Sequence, residues 1–170
     1  IAMQLSKDGW LEKHGVRRLN YISGPDTNTE SIERFEAFSK VLQEYDIPLE
    51  PERVYHGTFR AKDGRRAIEH FLKSELEFPE AIVCANDAMA ISAVLTLEEN
   101  GIRCPENILV SGFDNIIHAR NFAPALTTVE RPLTQSGALA CELICRHLIG
   151  EQLPRVTELN AVPIFSESCG

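Results

Sequence analysis

No apolar run in this sequence approaches the roughly 18–20 residues that a membrane-spanning helix requires, and its start shows no secretory signal pattern. Basic residues are in the minority, 17 Lys and Arg against 25 Asp and Glu, giving a net charge of −8. That balance argues against a chain that grips a phosphate backbone with its own surface. Catalytic signatures are missing as well. There is no G-x-S-x-G elbow, no P-loop, no G-x-G-x-x-G turn and no H-E-x-x-H pair. The five histidines, His14, His56, His70, His118 and His147, are scattered, and none is framed with a Ser or Cys nucleophile. The chain is therefore not expected to be an enzyme, nor to carry a cofactor or a metal. Cysteine pairs are lacking too. The five cysteines are odd in number and form no C-x-x-C, which suits a reducing cytoplasm. Cys141 and Cys145 stand four apart on an expected helix and read as two core thiols rather than metal ligands.

What is present is an alternation of strand and helix patterns. At 170 residues the chain is large enough for one domain with a real core. Its organising stretch is Ala81 to Asn115. An apolar strand, Ala81–Ala85, is followed by Asn86-Asp87 and a helix from Ala88. A second strand, Ile108–Ser111, stops at Gly112-Phe113-Asp114. Upstream, the pattern predicts a helix over Ala2–His14 and a strand at Leu19–Ile22. A helix with an apolar stripe of Ile32, Phe35, Phe38, Val41, Leu42 and Tyr45 follows. A strand at Arg53–His56 and a helix from about Ala61 to Ser74 come next. Downstream, a short excursion spans Ile116–Phe122, and a strand lies at Leu126–Val129. A strongly amphipathic helix closes at Gly150, and a last strand runs from about Val156 to Ile164. The pattern predicts an α/β three-layer sandwich around a mostly parallel sheet. The helix after Asp87 is apolar on more than one side, which favours a second partner for it, such as another subunit.

In open α/β sheets ligands bind beyond the carboxyl ends of the strands. The polar groups expected there are Asn86, Asp87, Asp114 and Asn115, with Arg34 and Phe59 in neighbouring segments, although position alone favours a solvated helix arginine at Arg34. Amides and carboxylates pair with hydroxyls or base edges, an arginine supplies a fork of donors, and a ring offers a stacking face. Such a set binds and orients a small polar molecule. For Asp87 a capping or structural role, capping the following helix first, is the stronger expectation. For Phe59, capping a core edge and covering a ligand stand level.

The segments Ala85-Asn86-Asp87-Ala88-Met89-Ala90, Gly101–Asn107, Gly112-Phe113-Asp114-Asn115, Pro124–Val129 and Glu167-Ser168-Cys169 resemble the effector-binding domain of LacI/GalR-type transcription regulators. Gly24-Pro25, Glu33-Arg34-Phe35 and Gly57-Thr58-Phe59 extend the resemblance upstream. It implies a type I periplasmic-binding-protein-like fold of two subdomains with effector in the cleft between them. Residues 1–131 would be mainly the C-terminal subdomain, 132–150 a helix crossing to the N-terminal subdomain, and 151–170 a return strand and tail. Effector contacts are implied at Arg34, Phe59, Asn86 and Asp114, and a homodimer interface at Met89, Ile91 and Phe122. The effector would be a sugar, a nucleoside or a similar polar molecule, and DNA would be reached only through an N-terminal domain outside this segment. The same sensor type also precedes cyclases or kinases, or serves as a transport-type solute-binding protein. Departures from the pattern are Ala37 and Ser92, where glycine is usual, and Asn115, where a second aspartate is common.

Overall fold

The computed structural model describes residues 15–170, so the helix expected over Ala2–His14 and the side chain of His14 lie outside the described residues. The chain builds a parallel four-stranded sheet in the order β2-β1-β3-β4, with β1 at Leu19–Ser23, β2 at Val54–His56, β3 at Ala81–Cys84 and β4 at Leu109–Ser111. Helix α1 (Thr29–Glu44) joins β1 to β2, α2 (Ala61–Phe71) joins β2 to β3, and α3 (Asp87–Glu99) joins β3 to β4. From β1 the chain steps first to one side and then returns to the other. With right-handed crossovers this reversal puts α1 on one face of the sheet and α2 and α3 on the opposite face. The result is the expected α/β sandwich, with a topological switch point between β1 and β3.

Each layer is fixed by specific packing. On the α1 face, Tyr21 stacks on Phe38 with ring centroids 4.7 Å apart, and Phe35 closes in at 5.4 Å. Phe38, Val41 and Leu42 are buried, whereas Ile32, at the start of the same stripe, is 41% exposed. On the other face α2 and α3 lie nearly in backbone contact at Gly64, where a Cβ would strike the Met89 carbonyl oxygen. Met89, Ala90, Ala93, Val94 and Leu97 of α3 are fully buried. Much of the second apolar side of α3 is thus covered by α2 of the same chain.

Met89, expected at a dimer interface, is one of these core residues and offers no surface to a partner. Ile91 and Phe122 stay partly exposed, and Leu95 and Ile117 nearby are 46% and 64% exposed. Ile117 opens the single-turn helix α4 (Ile117–Arg120), which packs beside α3.

The last third of the chain behaves differently. Strand β5 (Thr128–Glu130) extends the sheet through parallel bridges, Ser111 to Thr127 and Asp114 to Glu130, and pairs antiparallel with β6 (Val162–Ile164). Between them runs α5 (Leu133–Leu148), none of whose residues is buried. Leu133, Ile144 and Leu148 are 61%, 60% and 78% exposed. Cys141 and Cys145 are therefore surface thiols within this chain, not core thiols, because the helix carrying them packs its apolar side on nothing described. The last strand is also shorter than expected, and the residues from Glu151 to Ala161 form no regular element.

The tail returns to the core. Ser168 Oγ donates to the Val110 carbonyl at 2.6 Å and accepts from the Thr127 N–H at 2.8 Å, stitching β4 to β5. Beneath it Cys84, Cys104 and Cys169 are buried, and burial pushes the Cys104 and Cys169 thiols up to about 12 and about 11. They are packing groups rather than reactive thiols.

Candidate functional site

The carboxyl ends of β1, β3, β4 and β5 converge on one group of charged and aromatic side chains. Arg34 lies in the second turn of α1, whose start is set by Asn28: its side chain accepts from the Ser31 N–H at 3.0 Å. From there the guanidinium reaches back to the switch point. Nη1 donates to the Ala85 carbonyl at 2.6 Å, just past β3, and Nη2 to Glu30 Oε2 at 2.7 Å. The Phe113 ring lies under the guanidinium at 3.9 Å from centroid to Cζ, and the Phe59 ring flanks it at 5.7 Å. Only 14% of the Arg34 side chain is exposed, and burial pulls its pKa below the ordinary arginine value, with Asp114 and Glu30 opposing. Arg34 is a positioned donor fork rather than a solvated helix arginine.

Asp114 follows β4 at a φ of 114°, with Asn115 at 52°, both in the positive-φ region that residues with side chains rarely adopt. The loop is held by Asp87, which is completely buried. Asp87 Oδ2 accepts from the Ile116 N–H at 2.9 Å and Oδ1 from the Thr128 hydroxyl at 2.6 Å, while Thr128 Oγ1 accepts from the Asn115 N–H at 3.2 Å. The cap expected of Asp87 is supplied instead by Asn86, whose Oδ1 accepts from the Met89 N–H at 3.0 Å. Asn86 Nδ2 donates to the Phe59 carbonyl at 2.9 Å. Its amide is thus engaged on both sides, and it fixes the Phe59 backbone at a φ of 63°. The Phe59 ring lies over Gly24, where a Cβ would overlap it, so a glycine at the end of β1 is what admits the ring.

Asp114 Oδ1 faces two guanidiniums, Arg131 Nε at 3.0 Å and Arg34 Nη2 at 3.8 Å. Burial nevertheless raises the Asp114 pKa above the ordinary aspartate value, and the two arginines only partly offset it. Arg131 also approaches Glu30 Oε2 at 3.5 Å. Beside Asp114 and Arg131 an open cleft of about 580 Å³ runs under the start of α5 and is lined also by Asn115, Arg120, Glu130 and Thr134.

The expected residues Arg34, Phe59, Asn86 and Asp114 are thereby brought to one locality, with Asn86 engaged in capping and anchoring. Glu30, Phe113 and Arg131 complete the group and were missed by sequence reasoning. Arg131 stands directly after a strand, so the rule that singled out Asn86 and Asp114 points to it as well. Among the described residues no group of three or more His, Cys, Asp or Glu side chains is placed to hold a metal ion.

The parallel sheet and its switch point give the chain the architecture of a periplasmic-binding-protein-type domain. The chain belongs to the periplasmic binding protein-like domain family, whose sequence profile matches residues 10–169. It is similar to the HTH-type transcriptional repressor PurR of Photorhabdus laumondii, 34% identical over 161 residues that make up 90% of this chain and 47% of that protein. It is also similar to a sugar-binding transcriptional regulator of the LacI family from Escherichia coli, solved in complex with phosphate. That structure is 27% identical with a TM-score of 0.86, over 96% of this chain and 59% of the other. The transcriptional regulator CelR, solved with cellobiose, is 26% identical with a TM-score of 0.84, over 94% of this chain and 49% of that one. The chain spans about half the length of the curated relatives it matches.

Proposed function

We propose that this chain is the larger part of the effector-sensing domain of a LacI/GalR-type transcription regulator and takes a small polar ligand at the Arg34–Asp114 cluster. The observation that carries the reading is the buried donor fork of Arg34, aimed at the switch point and flanked by two rings and a carboxylate. The named relatives are repressors or regulators, and of the solved neighbours one is described as sugar-binding and another is a complex with cellobiose.

In this reading residues up to about 131 form the C-terminal subdomain. Helix α5 crosses to the other subdomain, which explains an amphipathic helix with no buried residue. The segment after it returns through β6 and the Ser168 anchor. Ligand would sit between Arg34 and Asp114 on one side and the opposite subdomain on the other. It would fix the angle between subdomains and so the spacing of paired DNA-reading heads. The partly exposed side of α3 and α4, with Ile91, Leu95, Ile117 and Phe122, is the proposed homodimer face.

The test is a thermal-shift screen of the protein against sugars and nucleosides, followed by Arg34→Ala and Asp114→Ala. Each variant removes a hydrogen bond between a charged group and the ligand, worth roughly 1.5–3 kcal/mol, so affinity should fall about tenfold to a hundredfold. Unchanged affinity in both variants would move the site elsewhere.

A further inference from the structure

The cluster at the switch point contains two cations and two anions whose formal charges cancel. Arg34 and Arg131 share Glu30 Oε2, at 2.7 and 3.5 Å, and they share Asp114 Oδ1, at 3.8 and 3.0 Å. The contact between Asp114 and Arg131 is close in distance but off the angle of a hydrogen bond. Asp114 Oδ1 and Arg131 Nε are both buried, and neither has a hydrogen-bond partner among the described residues. An unsatisfied acceptor therefore stands beside an unsatisfied donor just below the surface of the cleft, and a ligand group reaches both by parting them.

We infer, building on the ligand-sensing reading above, that Arg131 is a specificity-determining contact and that Glu30 excludes anionic ligands. One group satisfies both orphan atoms at once if it can donate and accept, as a hydroxyl does: its O–H would point to Asp114 Oδ1 and its lone pair would receive the Arg131 Nε–H. A deprotonated phosphate or carboxylate oxygen accepts only. It would leave Asp114 Oδ1 unpaired and face it as a like charge.

Glu30 adds to this discrimination. Its side chain is 59% exposed, so it is not fixed by burial, yet it occupies the outer donors of both arginines. An anion could take those donors only by displacing a carboxylate already there. A neutral polyhydroxylated molecule leaves the pairing intact. The four side chains thus form a site selective for uncharged, hydroxyl-bearing ligands over their phosphorylated or oxidised counterparts.

The experiment compares matched probes by calorimetry and thermal shift on the native protein and on Glu30→Gln: glucose, cellobiose and guanosine, each against its phosphate ester, glucose also against glucuronate, and inorganic phosphate alone. In the native protein any probe that binds should be the neutral member, and inorganic phosphate should be silent. Glu30→Gln keeps the shape and removes one charge, so it should strengthen binding of the anionic member, or of inorganic phosphate, on the order of tenfold or more. Arg131→Met should weaken the neutral member by about tenfold.

The inference is overturned if the native protein prefers the anionic member, if Glu30→Gln leaves the ratio of the pair unchanged, or if Arg131→Met binds the neutral member as well as the native protein. Silence of all probes toward both proteins would sink the ligand-sensing reading itself and this inference with it. Neutral binding that is insensitive to Arg34→Ala and Asp114→Ala would instead show that the site has been misplaced.

Discussion

Asp87→Ala should damage the site from beneath without removing any group that faces the cleft. In the native chain the Asp87 carboxylate accepts from the Thr128 hydroxyl and the Ile116 N–H, and Thr128 in turn accepts from the Asn115 N–H. Those bonds hold Asp114 and Asn115 at positive φ. Alanine leaves a hydroxyl and an amide without acceptors, each costing roughly 1–3 kcal/mol. Part of that loss is offset, because burial already disfavours the Asp87 charge and raises its pKa. The net expectation is about 2–4 kcal/mol of lost stability. Asp87→Asn keeps one acceptor for Thr128 but turns an N–H toward the Ile116 N–H, so it should cost less, about 1–2 kcal/mol.

Urea unfolding followed by far-ultraviolet circular dichroism would read these values. A cycle with Thr128→Val isolates the pair. Once the Thr128 hydroxyl is gone, Asp87→Ala should cost less than it does alone, with a coupling of about 1–2 kcal/mol. Ligand affinity should fall in parallel, since Asp114 loses its fixed position. A loss below about 0.5 kcal/mol for Asp87→Ala, together with strict additivity with Thr128→Val, would refute the claim that this network sets the loop.

Two further outcomes are expected. The Asp114 pKa is raised by burial, so between that raised value and the ordinary 3.8 the folded protein holds a proton that the unfolded chain does not. Its contribution to the stability of the unliganded fold therefore grows as pH falls through this window, while ligand affinity, which needs the ionised acceptor, declines. Asp114→Asn should flatten both dependences in unfolding and calorimetric titrations at a series of pH values. At the proposed dimer face, Ile117→Asp places a charge on a residue that is 64% exposed in the single chain. It should shift sedimentation toward monomer with little change in the unfolding of the monomer itself, and an unaltered dimer would move the interface elsewhere.

The strands of the parallel sheet and the helices between them were legible because apolar runs alternate with 3.6-residue periodicity from Leu19 to Ser111, whereas the order of the strands was not. Strand ends pointed to Asn86 and Asp114, since a polar residue directly after a buried run marks where the chain leaves the core. The division of labour at Asn86-Asp87 was not legible. Both residue types cap helices, and only the position of Thr128, 41 residues further on, shows that the carboxylate bonds across to β5 while the amide caps. The resemblance placed Met89 at a dimer interface, and the apolar pattern of α3 could not correct it. Periodicity shows that α3 has two apolar sides, but not that Gly64 lets α2 come close enough to cover one of them. In α5 the apolar stripe was evident, but it packs on nothing among the described residues. Arg131 carried the same strand-end signal as Asn86 and Asp114 and was passed over, whereas Glu30 escaped because it joins the cluster only when β5 brings residue 131 beside the first turn of α1.

The connection between the core and α5 is narrow. It consists of β5 and β6, paired over three residues, with the tail after β6 fastened to β4 and β5 through Ser168. Arg131 is the first residue past that joint on the outgoing strand, and its guanidinium already rests on Asp114 at 3.0 Å. A molecule seated between these two side chains would act on the joint at its root, where a small displacement swings the far end of α5 through the largest arc.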